Sequence, residues 1–193
     1  MQDIPERQIR AAYDDHTIRI YQAYNDEIAD AALARGTFVS PTFSMTRMTW
    51  IKPSFLWMMY RAGWGHKDPG QRRILAIDIS REGFDWALAH SCPSHPGSSM
   101  SAEDWAKLKA ASPVRIQWDP ERDLHLQPLQ YRAIQIGVGG RAVSLYVEQW
   151  IQKITDITDL AHTIQSLVGS GQLDEAQARL PVERVYPQSA LSE

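Results

Sequence analysis

Eight consecutive residues, Arg73-Ile-Leu-Ala-Ile-Asp-Ile-Ser80, set the tightest limit on how this chain folds. The run is apolar almost throughout and does not alternate as a half-solvated strand does. It therefore reads as an interior strand, and a buried sheet is implied. Around it the other strand signals are β-branched and aromatic. Thr17–Tyr24 (TIRIYQAY) places Ile18, Ile20, Gln22 and Tyr24 on one face and Arg19, Tyr21 and Ala23 on the other. Further strands are predicted over residues 113–118, 131–138 and 151–157, and a short strand or extended arm over 8–15. Residues 119–130 are expected to form a long hairpin connection.

Helix signals lie between these strands. Asn25 is a good N-cap, acids follow it, Arg35 closes the segment and Gly36 stops it, so Asp26–Arg35 is predicted helical. Pro53 suits a first helical position, and Gly63 and Gly65 end a second helix over 53–62. Other helices are predicted from Arg81 after a Ser80 cap, from Ser101, from Arg141 to Trp150, from an Asp159 cap to Val168, and over 173–180. Residues 92–100 read as a loop. Strands and helices mix without regular βαβ spacing. The expectation is a single α+β domain over 1–193, with its core at about 8–168, a tail at 169–193, and short helices around a central mixed or antiparallel sheet.

The formal net charge of -3 argues against a generic electrostatic binder of nucleic acid, but the charge is unevenly spread. Between residues 47 and 81 stand Arg47, Lys52, Arg61, Lys67, Arg72, Arg73 and Arg81, against Asp68 and Asp78. The single cysteine, Cys92, excludes an internal disulfide framework, and the first residues lack an apolar signal core. No apolar run reaches the roughly 18 residues that a membrane helix needs. A soluble, cytoplasmic protein is expected.

The same cationic region carries the candidate site. Residues 47–65 pack Trp50, Trp57 and Trp64 among Arg47, Lys52 and Arg61. A loop-to-helix junction at Lys52, Pro53 and Ser54 offers an amine beside free helical N–H groups, which suits an anion. Trp50 and Trp57 offer flat faces for rings, although core tryptophans beside snorkelling basic stems would give the same pattern. Polar residues recur on apolar strands at Arg19 and Gln22, Arg115 and Gln117, and Arg132 and Gln135. Ala133, Gln135 and Gly137 share a face that leaves room for a ligand, with Gln135 as its polar handle. An Arg–carboxylate lattice with Asp119 or Glu121 is the alternative. His90, Cys92 and His95 lack a fourth zinc ligand, and no metal is expected. The turn at Gly137, Gly139 and Gly140 lacks phosphate-loop spacing. Cations and aromatics together favour an anionic partner with a flat ring, a nucleotide or single-stranded nucleic acid.

The ordered motifs I-R-A-x-Y-D, T-I-R-I-Y-Q-A-Y, R-M-T-W-I-K-P-S-F-L-W-M-M-Y-R-A-G-W, R-I-Q-W-D-P-E-R, Y-R-A-I-Q-I-G and L-P-V-E-R-V-Y resemble the family catalogued as domain of unknown function 4291. The resemblance covers about residues 8–187 and implies a single domain, with no activity attached. In the order of its parts the chain is also similar to ADP-ribosyltransferase folds, which use NAD. That analogy implies an NAD-dependent transferase acting on a nucleotide or nucleic acid. Arg19, Tyr21 and Gln135 would be catalytic; Trp50, Lys52, Ser54, Trp57 and Arg61 would bind the cofactor; Arg47, Arg115 and Arg132 would bind the substrate. Gln135 stands where those folds carry a glutamate. The rival expectation is a binding module for single-stranded nucleic acid or a nucleotide, without catalysis.

Overall fold

The computed structural model describes residues 4–98 and 100–187. Its strands and helices, in order, are β1 (Arg10–Ala11), β2 (Thr17–Tyr24), α1 (Asp26–Arg35), β3 (Thr49–Ile51), α2 (Phe55–Ala62), β4 (Arg73–Ser80), α3 (Arg81–Ala89) and β5 (Ser91–Pro93). There follow α4 (Ala102–Ala111), β6 (Val114–Arg122), β7 (Pro128–Val138), α5 (Arg141–Leu145), β8 (Ile151–Asp156), α6 (Thr158–Gly169), α7 (Leu173–Arg179) and β9 (Arg184–Val185). The result is one mixed α+β domain. Its strands divide into an antiparallel sheet β2-β4-β8, a mixed sheet β3-β7-β6-β5, and a small pair, β1-β9.

β4 is the middle strand of the first sheet and is covered on both faces. Leu75, Ile77 and Ile79 enter the main core with Ile18 and Ile20 of β2. Ile74 and Ala76 enter a second core with Tyr21, Phe55, Met58 and Met59, closed by Ala161 and Ile164 of α6. Burial on two faces is why the strand's sequence does not alternate.

Several boundaries differ from the sequence expectation for local reasons. Ser54, rather than Pro53, sets the start of α2: its Oγ accepts from Trp57 N at 3.1 Å, the cap geometry. α6 begins before Asp159, because Asp156 Oδ1 accepts from Thr158 N at 2.9 Å and from the Thr158 hydroxyl at 2.6 Å. The expected 119–130 connection shrinks to five residues. β6 runs on to Arg122, β7 starts at Pro128, and Asp123 Oδ1 accepts from the N–H groups of His125 and Gln127. Ser91–Pro93, with Cys92 and Pro93 expected as loop, pairs parallel with β6. The helix predicted to Trp150 ends at Leu145 and widens into a π-turn over Tyr146–Trp150. Residues 184–186 are part of the body: β9 pairs with β1, and Tyr186 is buried in the main core.

Arg73 ties the first sheet to α1, bonding Asp156 Oδ2 at 2.5 Å and Asp30 Oδ1 at 2.7 Å. Burial pushes the Asp156 carboxyl up. The Thr158 hydroxyl and N–H, together with Arg73, outweigh that and hold it below the usual value. A depressed carboxylate contributes stability above its unfolded value and loses it as pH falls through the folded one. Asp156→Asn is therefore expected to lower stability by about 1–2 kcal/mol at pH 7, with the deficit vanishing in acid, as urea denaturation at several pH values would show. No helix among the described residues is long and apolar enough to cross a membrane.

Candidate functional site

The two larger sheets touch at one backbone bridge, where Tyr21 N donates to Lys52 O at 2.8 Å, and then part. Gln22 spans the opening: its amide donates to Thr49 Oγ1 at 2.6 Å and to Trp50 O at 3.1 Å, and its own oxygen accepts from the Tyr146 hydroxyl at 2.6 Å. Every polar atom of this buried amide is engaged, so it fixes the seam's width. Beyond it lies a cleft of about 450 Å³ between β2, β3, α2 and the 42–48 segment.

Arg47, Lys52 and Arg61 line this cleft, and among the described residues no carboxylate does. Arg47 and Arg61 are exposed at the rim, whereas Lys52 is only 7% exposed. Its Nζ donates to Trp50 O at 3.0 Å, the one hydrogen bond it makes among the described residues, and lies 5.7 Å from the centre of the Trp57 ring. Burial, with Arg61 adding to it and Asp119 opposing, pulls the Lys52 amine down to about 7. A buried cation with unused donors and no contact carboxylate suits an incoming anion.

Trp50 supplies an aromatic wall. Its ring lies across Gly137 of β7, where an added Cβ would meet Met48 Sδ at 2.7 Å and Trp50 ring carbons at 3.0 Å. The room read from the small residues of β7 is thus filled by Trp50 and Met48 themselves.

Four of the sequence-predicted residues, Arg47, Trp50, Lys52 and Arg61, meet in this cleft. The others do not line it. Trp57 is a core wall only 5% exposed, because α2 turns that face inward, so it offers no stacking surface. Ser54 serves as the α2 cap and also donates to Glu121 Oε1 at 2.8 Å. Arg19 is held by Asp78, its cross-strand neighbour, at 2.8 and 3.0 Å. Tyr21 is fully buried edge-on to Phe55. Gln135 donates to Asp119 Oδ2 at 2.8 Å, where a polar lattice on the open sheet face engages it. Arg115 caps the end of α4 through the carbonyls of Lys109 and Ser112. Arg132 pairs with Glu6 at 3.0 Å and fastens the N-terminal segment to β7. No group of three or more His, Cys, Asp or Glu among the described residues could hold a metal.

Glu183 escaped the sequence reading, and Glu121 entered it only as a possible lattice partner of an arginine. At the start of α2, beside Ser54, the Glu183 carboxylate accepts from Phe55 N at 2.8 Å. Burial, with Glu121 adding to it, pushes the Glu183 carboxyl up to about 8, against the Phe55 N–H and Arg10. Burial also raises Glu121, against the Arg122 N–H and the Ser54 hydroxyl. The available signal was the Pro-x-Glu-Arg and Pro-Glu-Arg settings in the motifs L-P-V-E-R-V-Y and R-I-Q-W-D-P-E-R.

The model of a domain of unknown function, DUF4291, matches residues 8–186. The chain belongs to this family. The DUF4291 match contains every cleft residue and both glutamates at the start of α2; Glu6, which holds Arg132, falls outside it. No curated protein matches the chain.

Proposed function

We propose that the cleft binds a nucleotide and that the protein is a transferase using NAD as donor to modify a nucleotide or nucleic acid. The observation that carries this reading is a cleft of small-molecule size with three cations, an aromatic wall and, among the described residues, no lining carboxylate. Arg47 and Arg61 hold phosphate oxygens, Lys52 donates from the floor, and Trp50 stacks on a ring. Bound NAD would supply a ribosyl group activated by a cationic leaving group. Gln135 stands where the transferase folds carry a glutamate, and neither it nor Glu121 lines the cleft, so positioning of the donor falls to Arg47, Lys52 and Arg61. The single cysteine fits a cytoplasmic setting.

The test is transfer of label from adenylate-labelled NAD to single-stranded oligonucleotides and free nucleotides. Transfer that falls at least tenfold in Arg61→Ala is expected. A second reading, nucleic-acid binding without chemistry, is favoured by the engagement of Arg19, Tyr21 and Gln135 elsewhere in the fold. Absence of transfer, together with oligonucleotide affinity that drops steeply with salt, would select it.

A further inference from the structure

The surroundings of Lys52 are those that turn a lysine into a nucleophile. Its amine is buried, lies in a cleft that no carboxylate lines among the described residues, bonds one backbone carbonyl, and shares the cleft with Arg61. Desolvation and a neighbouring cation both favour the neutral amine, which carries the lone pair. The groups that act on it are Arg61 from α2, which disfavours its proton, and Asp119 from β6, which favours it; the balance brings the amine down to about 7. A cation serving only to hold phosphate gains nothing from such burial, as Arg47 and Arg61 at the rim illustrate.

We propose that Lys52 condenses with the carbonyl carbon of a phosphorylated aldehyde or ketone, including the open-chain form of a sugar phosphate, to form an imine on Nζ. The proposal rests on the reading that the cleft takes a phosphate-bearing ligand. With that phosphate on Arg47 and Arg61, the Nζ lone pair attacks the carbonyl carbon and the C=O electron pair moves to oxygen. A proton passes from nitrogen to that oxygen, giving a carbinolamine. Loss of the hydroxyl with a second proton releases one water and leaves the C=N bond. Hydrolysis reverses every step, and no oxidant or reductant is consumed.

The probe is pyridoxal 5′-phosphate, an aldehyde bearing a phosphate on a flat ring, followed by borohydride reduction and peptide mapping of the wild-type protein. The chain has five lysines, Lys52, Lys67, Lys107, Lys109 and Lys153, so the four others serve as internal references. Lys52 is expected to be modified at least tenfold faster than any other, at a rate that rises through about pH 7 and then levels off. Inorganic phosphate should slow it, and pyridoxal without phosphate should react at least tenfold more slowly. Modification spread over the other lysines at rates equal to that of Lys52 overturns the proposal, and NAD binding in the same sample would show that the nucleotide reading survives. Fast modification of Lys52 that ignores phosphate overturns the phosphorylated substrate class and, with it, the anion-binding reading.

Discussion

Lys52→Met is expected to make the ligand-free protein more stable at neutral pH, by about 2–4 kcal/mol, while removing its function. The folded-state amine lies at about 7, against an ordinary value of 10.5. Below pH 7 both folded and unfolded chains carry the proton, and the folded state bears the full penalty of a desolvated charge. Between about 7 and 10.5 the unfolded chain binds the extra proton, so wild-type stability rises with pH across that window. Methionine fills similar volume without a charge, so its advantage should be constant below pH 7 and shrink toward pH 10.5. The hydrogen bond to Trp50 O is lost, which offsets about 1 kcal/mol of the gain. Urea denaturation at pH 6 and pH 9.5 measures both terms. A variant less stable than wild type at pH 6 would make Lys52 a structural residue. Stability given up for a buried charge is the pattern expected of a working site.

Gly83→Ala should destabilise the fold by about 3 kcal/mol or more, enough to lower the melting temperature by several degrees. Gly83 lies in α3 with its Cα turned toward Trp150, and an added Cβ would meet Trp150 Cγ at 2.3 Å and Cδ1 at 2.5 Å. The indole cannot step aside. It is 5% exposed, packs against Trp86 and Tyr146, and hangs from the π-turn that leads directly into β8. Relief therefore requires α3 to move off the first sheet. Gly97→Ala, where nothing lies within 4 Å of the added methyl, is the matched control and should melt like wild type. Equal melting temperatures for the two variants would mean that the α3 packing is looser than described.

Local chemistry made much of this fold legible. β2, β4 and α1 were bounded to the residue because β-branched runs, an Asn25 cap and a Gly36 stop act over a few positions. The α2 start, the α6 start and β5 were not, since side-chain bonds from Ser54 and Asp156 and a long-range partner strand decide them. The cleft was half legible. Residues 47–61 gave Arg47, Trp50, Lys52 and Arg61 through their density of cations and aromatics. Gln135 and Arg19 lie outside the cleft, and the sequence could not say so because a polar residue on a strand looks the same whether it faces a ligand or Asp119 and Asp78. Glu183 was hidden because the residues after α7 looked like an extended end, and only the folded chain brings them to the start of α2.

The central claim is that the seam between the two sheets binds a phosphate-bearing nucleotide through Lys52. Calorimetric titration of NAD into wild type and into Lys52→Met at pH 7 tests it most directly. Saturable one-to-one heat in the wild type, lost in a variant that is folded and more stable, is the predicted result. The same heat in both proteins, or none in the wild type, would contradict it.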